Sequence, residues 1–325
     1  MKVSIKAIEY YLPPGTEDGA ALKRDNPDWR IDDLENKTGV QVRHIAEPGQ
    51  TAVDMAGLAA AKLLAAGIPK ESIDFLVLVT QSPDYVLPTS ACILQDRLGL
   101  RPSCLAFDVN LGCSGFVYGL AIGGSLIEAG LAGRGLVCCS ETYSKYIEKT
   151  DRVSRPLFSD GAAVTLLGSS GQDDLGPFEM GTDGSGFRNL IVPLSGARTA
   201  SSETDKKSLF MAGKEVFMFT MGKVPECVTA LLAKSGKTIG DIDHFIFHQA
   251  SKIVIDNIVR RLELPEEKVF RNYQRIGNTV SASIPIALKD AVSEKKIKKG
   301  DLVMLIGFGV GYSWGSCLVK WDGAQ

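Results

Sequence analysis

The chain repeats its own grammar. Asp74-Phe75-Leu76-Val77 followed by Thr80-Gln81-Ser82 resembles Asp243-His244-Phe245-Ile246 followed by His248-Gln249-Ala250-Ser251. Both lead into a helical stretch that ends alike, in Asp96-Arg97-Leu98-Gly99-Leu100 or Arg260-Arg261-Leu262-Glu263-Leu264. Asn110-Leu111-Gly112-Cys113-Ser114 and Arg275-Ile276-Gly277-Asn278-Thr279 then each open another helix. Each half closes on an apolar strand, Leu136-Val137-Cys138-Cys139 or Leu302-Val303-Met304-Leu305-Ile306. A period of this length is too long for a solenoid unit and predicts a duplicated domain, with halves at 1–170 and 171–325.

The alternation of buried-strand runs with helical stretches is α/β grammar. Thr51 opens a helix with Asp54 at its third position, the arrangement of a capping box. Residues 114–130 are apolar on nearly every face, which predicts a helix buried on all sides. Residues 170–210, rich in Gly, Ser, Asp and Pro, read as loops and short strands; Gly181-Thr182-Asp183-Gly184-Ser185-Gly186 within them reads as a turn. No Lys-Ser/Thr follows it to make a phosphate loop.

Composition excludes several function classes. The net charge of −2 gives no general affinity for polyanions, so nucleic acid is not an expected partner. No apolar run reaches the roughly 18 residues of a membrane span, and the first residues alternate like a strand rather than forming a signal peptide. A cytoplasmic setting is expected. Seven cysteines, an odd number, fit reduced thiols. No Cys-x-x-Cys pair occurs and there are three histidines, so no metal is expected.

Cys113 lies between Gly112 and the Ser114-Gly115 pair that opens the buried helix. A thiol there feels the positive end of the helix dipole, which favours thiolate, and the glycines leave room for a substrate. By position alone it reads equally as a buried cysteine before a helix. His248 follows a strand and precedes a helix, where site residues of α/β folds gather, though a loop or capping histidine has the same pattern. Asn278 in Gly277-Asn278-Thr279 suits a helix cap or turn as well as a site. Gly307-Phe308-Gly309-Val310-Gly311 reads as a glycine-spaced loop whose backbone N–H groups suit an oxyanion hole. The duplication places Cys113 and Asn278 at corresponding points of the two halves, so residues far apart in sequence are expected to meet.

Four segments, in order and spacing, resemble the β-ketoacyl-[acyl-carrier-protein] synthase III family of the thiolase-like superfamily. They are Leu111-Gly112-Cys113-Ser114-Gly115-Phe116, Phe247-His248-Gln249-Ala250-Ser251, Gly277-Asn278-Thr279 with Ser281-Ala282-Ser283-Ile284-Pro285, and Gly307-Phe308-Gly309-Val310-Gly311-Tyr312-Ser313-Trp314-Gly315. Thr38-Gly39-Val40, Phe158-Ser159-Asp160-Gly161-Ala162 and Met211-Ala212-Gly213-Lys214-Glu215-Val216-Phe217 also match, so the resemblance spans nearly the whole chain. It implies a thiolase-like α/β fold, two pseudo-symmetric halves in a five-layered αβαβα body, assembled as a homodimer.

For activity, the resemblance implies a decarboxylating Claisen condensation of an acyl primer with a malonyl thioester. Cys113 would carry the acyl group, His248 and Asn278 would hold the enolate oxygen, and the N–H groups of Cys113 and Val310 would hold the tetrahedral oxyanion. Phe308 would line the malonyl carboxylate, and Leu87 of a partner subunit would close the acyl pocket around a primer longer than acetyl. Arg152, Met211, Lys252, Arg260 and Arg261 would face coenzyme A or acyl carrier protein. Thioesters of those two carriers are the substrates, and no cofactor is implied.

The chain departs from the family pattern at several points. Trp29 lies nine positions before Thr38 rather than beside it, Lys37 stands where Arg is common, Ser251 replaces Asn, and Val310 replaces Gly. Other readings of the same trio are a relative that acylates an amine or hydroxyl, a papain-type hydrolase, and a non-catalytic partner subunit. The first leaves the trio unchanged, whereas the motif around Cys113 does not fit the second and the presence of Cys113 does not fit the third.

Overall fold

The computed structural model describes residues 1–198 and 206–323. Its first half holds β1 (Val3–Tyr11), the short β2 (Thr16–Asp18), α1 (Gly19–Asp25), α2 (Ile31–Thr38) and β3 (Val42–His44), which pairs with β2. There follow α3 (Ala52–Ala65), β4 (Phe75–Val79), α4 (Ser90–Leu98), β5 (Leu105–Val109), α5 (Gly115–Glu128), β6 (Arg134–Glu141) and β7 (Gly161–Ser169). The second half holds β8 (Leu175–Thr182), the short pair β9 (Leu190–Ile191) and β10 (Phe210–Met211), α6 (Gly213–Ser235), β11 (His244–Phe247) and α7 (Lys252–Arg261). It ends with the single turn α8 (Tyr273–Ile276), then α9 (Ser283–Ser293), β12 (Leu302–Gly309) and β13 (Ser313–Lys320).

The first sheet runs β1-β7-β6-β4-β5, with β4 parallel to both neighbours and β7 antiparallel to β6 and β1. The second runs β11-β12-β13-β8, with one parallel pair followed by two antiparallel ones. The same pattern thus recurs, except that the counterpart of β5 is reduced to a single bridge between Phe245 and Val269. Helices α5 and α9 lie between the sheets and touch both. Their Phe116, Leu120, Ile284 and Leu288 join Phe75, Val137 and Val303 in one fully buried core. Helices α3 and α4 cover the outer face of the first sheet, and α6 and α7 that of the second, each over its own apolar cluster. The layers therefore stack α-β-α-β-α.

Local signals act as the sequence predicts in several places. The Thr51 hydroxyl accepts from the Asp54 N–H while the Asp54 carboxylate accepts from the Thr51 N–H, closing the capping box of α3. Helix α5 buries Gly115, Phe116, Val117, Gly119, Leu120, Gly123, Gly124 and Ile127 and leaves only its last turn exposed.

Three readings need correction. Residues 170–210 contain an eight-residue strand, β8, whose Gly176 and Pro177 disguise it. Proline is tolerated there because β8 is an edge strand with one free row of backbone groups. The stretch Gly307–Gly311 is not all loop: β12 continues to Gly309, and only Val310 to Tyr312 make the turn into β13. Finally, α6, at 23 residues, is long and apolar enough by length and composition to cross a membrane. The sequence hid this because Lys223 and Glu226 interrupt the run. They pair on the outer side, while Val224, Val228 and Leu231 are buried in the cluster beneath the helix.

Candidate active site

The three residues singled out from sequence converge at the bottom of one cavity of about 760 Å³, together with Phe308 and Gly309. Cys113 stands in the turn between β5 and α5 and is buried. Strand β12 passes directly over it: a Cβ on Gly309 would lie 2.7 Å from both Cβ and Sγ of Cys113. Gly112 is equally constrained, because a Cβ there would fall 2.5 Å from Gln81 Oε1. The backbone N–H groups of Val310 and Cys113 itself both approach the sulfur. Burial pushes the thiol up to about 12, and the nearby Glu141 carboxylate adds to the rise. Desolvation of the enclosed sulfur outweighs the partial charge at the start of α5, so the drop expected from the helix dipole does not set the direction.

His248 leaves the end of β11, with its N–H donating to Ile306 O at 2.7 Å. Its Nδ1 lies 2.6 Å from Ser283 Oγ at the start of α9. Burial lowers the imidazole to about 3, opposed by a hydrogen bond with the Val280 backbone, so the ring is neutral. Phe308 stands edge-on to it with centroids 5.6 Å apart.

Asn278 is fixed on three sides. Its N–H donates to Leu157 O at 3.0 Å, its carbonyl accepts from the Ser159 N–H at 2.8 Å, and its Oδ1 accepts from the Val280 N–H at 2.9 Å. It is therefore a turn residue, and its remaining amide nitrogen faces the cavity, 3.4 Å from His248 Nε2 and 3.3 Å from Ala250 O. Val280, fully buried, holds φ at +53°, a left-handed conformation that costs a β-branched residue about 1–3 kcal/mol. Strain of this kind persists only where the surroundings impose it.

With Oδ1 engaged, Nδ2 of Asn278 is the group turned toward the histidine. Ser283 Oγ can donate to Nδ1, which leaves the ring proton on Nε2. In that tautomer both nitrogens can donate, and at 3.4 Å apart in one cavity they are close enough for a single oxygen to accept from both.

The cavity wall above the trio is apolar, built from Leu157, Phe158, Leu190 and Phe217. Arg152, Met211 and Lys37 stand among its lining residues, and Lys37 also borders a second hollow of about 310 Å³ with Lys252 and Arg260. Lys252 is engaged by Asp256 at 2.7 Å. Arg261 is exposed but lies outside that hollow, since consecutive residues of a helix point about 100° apart. Leu87 is 81% exposed and forms no part of this chain's own cavity. Trp29 is buried and also lines no part of it.

Sequence reading gave no role to Ser283, Glu141 or Tyr143. Ser283 sits inside a segment already picked out as distinctive. Glu141, an acid two residues after the apolar run Leu136-Val137-Cys138-Cys139, occupies the C-terminal end of a central strand, where side chains of α/β folds face the site. Tyr143 is buried beside Cys113, with its hydroxyl 2.6 Å from Gln81 Oε1.

Comparison with known proteins agrees with this geometry. The profile described as 3-Oxoacyl-[acyl-carrier-protein (ACP)] synthase III matches residues 107–184, and that of its C-terminal region matches residues 232–321. The chain is 38% identical over 328 residues to the beta-ketoacyl-[acyl-carrier-protein] synthase III of Clostridioides difficile, covering 98% of each. It is 40% identical to the protein of the same description from Caldanaerobacter subterraneus, over 89% of each. The crystal structure of a 3-oxoacyl-(acyl-carrier protein) synthase from Burkholderia xenovorans superposes with a TM-score of 0.95 at 36% identity, covering 99% of this chain and 95% of that one. The fold is thiolase-like.

Proposed function

Because the chain belongs to the 3-oxoacyl-[acyl-carrier-protein] synthase III family, we propose that it joins an acyl thioester primer to malonyl-acyl carrier protein with loss of carbon dioxide. The observation that carries this reading is the pair of donors, His248 Nε2 and Asn278 Nδ2, sharing one cavity floor with a buried nucleophilic sulfur. Two half-reactions follow from it. In the first, Cys113 Sγ bonds to the primer carbonyl carbon, whose oxyanion is held by the N–H groups of Val310 and Cys113. The bond to the carrier sulfur then breaks, and the thiol proton leaves with the carrier.

In the second, the malonyl thioester oxygen takes the position between His248 and Asn278. Breaking the bond to the carboxylate releases carbon dioxide, and its electron pair becomes an enolate whose charge the two donors stabilise as it develops. Phe308 offers the carboxylate an apolar wall, where losing the charge is favoured. The enolate carbon attacks the acyl-cysteine, a carbon–carbon bond forms, and the Cys113 sulfur departs. The product is a 3-oxoacyl thioester. The electrons come from the broken bond, so the reading needs no metal or redox group.

Arg152, Met211, Lys37 and Lys214 suit the phosphates and pantetheine of a coenzyme A primer, and Lys252 and Arg260 suit an acidic carrier protein. A homodimer would bring Leu87 of each chain to the other's acyl chamber. The seven free thiols suit a reducing, cytoplasmic setting. An amine or hydroxyl acceptor is not favoured, since the relatives above are described as ketoacyl synthases. Intact-protein mass after exposure to a panel of acyl-CoAs, followed by malonyl-acyl carrier protein, tests the reading. A retained acyl mass that disappears as 3-oxoacyl product forms supports it, and an acyl-enzyme inert toward the malonyl donor overturns it.

A further inference from the structure

Glu141 is a completely buried carboxylate at the end of β6, and no Lys, Arg or His among the described residues pairs with it. It is held instead by donors from both halves of the molecule. The hydroxyls of Ser82 and Ser281 donate at 2.8 Å each, the Gln81 N–H at 3.1 Å, and Thr80 Oγ1 lies at 3.4 Å. Ser281 directly follows Val280, the residue in the left-handed conformation whose N–H fixes Asn278 Oδ1. Gln81, on the other side, takes the Tyr143 hydroxyl beside Cys113.

An acid without a cation is costly to bury, so the four donors must be aimed at a charge for it to persist. We propose that Glu141 is a positioning residue for decarboxylation: its ionised carboxylate, by anchoring Ser281, holds the Asn278–Val280 turn so that Asn278 Nδ2 faces the enolate oxygen beside His248. The inference rests on the function proposed above. Protonated, the acid accepts fewer of its four hydrogen bonds and the turn loses its anchor. Burial raises Glu141 to about 7, so the switch falls near neutral pH. The ionisable groups that feel its charge are Cys113, Cys139, Tyr143 and Tyr146, each raised first by burial and further by this carboxylate. The carboxylate therefore opposes thiolate formation while it supports decarboxylation, and the two half-reactions respond to it in opposite directions.

The test measures both half-reactions across pH: labelled acyl group retained on the protein, and labelled carbon dioxide released from malonyl-acyl carrier protein. In the parent, kcat for decarboxylation should fall as pH drops below about 7. Glu141→Gln should decarboxylate about 10–10²-fold more slowly, the scale of a small misplacement of a catalytic group. It should lose that acid limb and acylate no more slowly than the parent. Glu141→Asp, which keeps the charge, should restore part of the rate together with the limb. Ser281→Ala should reproduce the selective loss, and with the parent profile it decides the matter where Glu141→Gln fails to fold. Equal decline of both half-reactions, or a parent profile flat through pH 7, overturns the proposal. Asn278→Ala is the control: if it too decarboxylates normally, the donor-pair reading has failed, whereas a defect in Asn278→Ala alone confines the failure to Glu141.

Discussion

His248 is an imidazole that burial holds near 3, and decarboxylation requires it to be a neutral donor rather than a base. This displacement also couples the site to folding. The folded value lies below the 6.5 of an ordinary histidine, so between the two the unfolded chain binds the extra proton. His248 thus contributes stability that is fully present above about pH 6.5 and is lost as pH falls toward 3, on the order of a few kcal/mol. Glu141 acts in the opposite sense: raised from 4.5 to about 7, it contributes most at low pH and its share is lost as pH rises through that window. Thermal unfolding of His248→Ala from pH 7 down to 4 should therefore show a shallower acid loss of Tm than the parent. A parent-like slope would mean that burial does not hold the ring neutral. The same residues divide the chemistry. Cys113→Ala should retain no acyl group yet still release some carbon dioxide from the malonyl thioester. Asn278→Ala should acylate normally while decarboxylation drops about 10²–10³-fold, the loss expected for one oxyanion donor. Parent-rate decarboxylation by Asn278→Ala would reduce Asn278 to the turn residue its Oδ1 bond already makes it.

At the scale of elements, the site exists because β12 runs within contact of the turn before α5. Gly309 permits that approach, and Gly309→Ala would drive a methyl to 2.7 Å from the Cys113 sulfur. The left-handed backbone at Gly309 adds strain for any side chain. Acylation should fall at least tenfold while the circular dichroism of the folded chain is retained; normal acylation would show that the strand can withdraw without harm. Thr51→Ala offers the contrasting case, because it removes the α3 cap about a whole layer away from the chemistry. It should lower stability by about 1 kcal/mol and leave both half-reactions unchanged. Elements such as α3, β4 and α5 were legible in sequence because local signals specify them: a capping box, a continuous apolar run, an all-round apolar helix. The length of β8 and the extent of β12 were not. Their glycines and proline imitate loops, and their strand character comes from pairing with β13 across a large sequence separation. The trio was legible only through the family resemblance, since by position alone each member suited a buried thiol, a loop histidine or a cap equally well. Ser283 and Glu141 were not, since their roles are set by partners from other elements that no local pattern announces.

The recurring sheet pattern lets one chain build an asymmetric site from two similar halves. Corresponding turns bring Cys113 from the first and Asn278 from the second to a common floor. One stretch fits neither half's interior: Tyr85, Val86 and Leu87 are exposed apolar side chains in succession, with Val86 at 84% and Leu87 at 81%. Three such residues together on a loop are a patch in search of cover, and a second copy of the chain is the occupant our reading assigns to it. Sedimentation should accordingly give a dimer whose dissociation is promoted by replacing Val86 and Leu87 with serine. Because Leu87 would then close the partner's acyl chamber, its size should set the primer without touching the decarboxylation machinery. Leu87→Ala should shift the retained acyl masses toward longer or branched primers, and Leu87→Trp toward shorter ones, with carbon dioxide release from the malonyl donor unchanged in both. A change in primer preference of about tenfold is the scale expected for one or two methylenes in an apolar pocket. A monomeric parent that already discriminates among primers would show that the chamber is complete within a single chain, and Leu87 would then be an exposed loop residue with no part in selection.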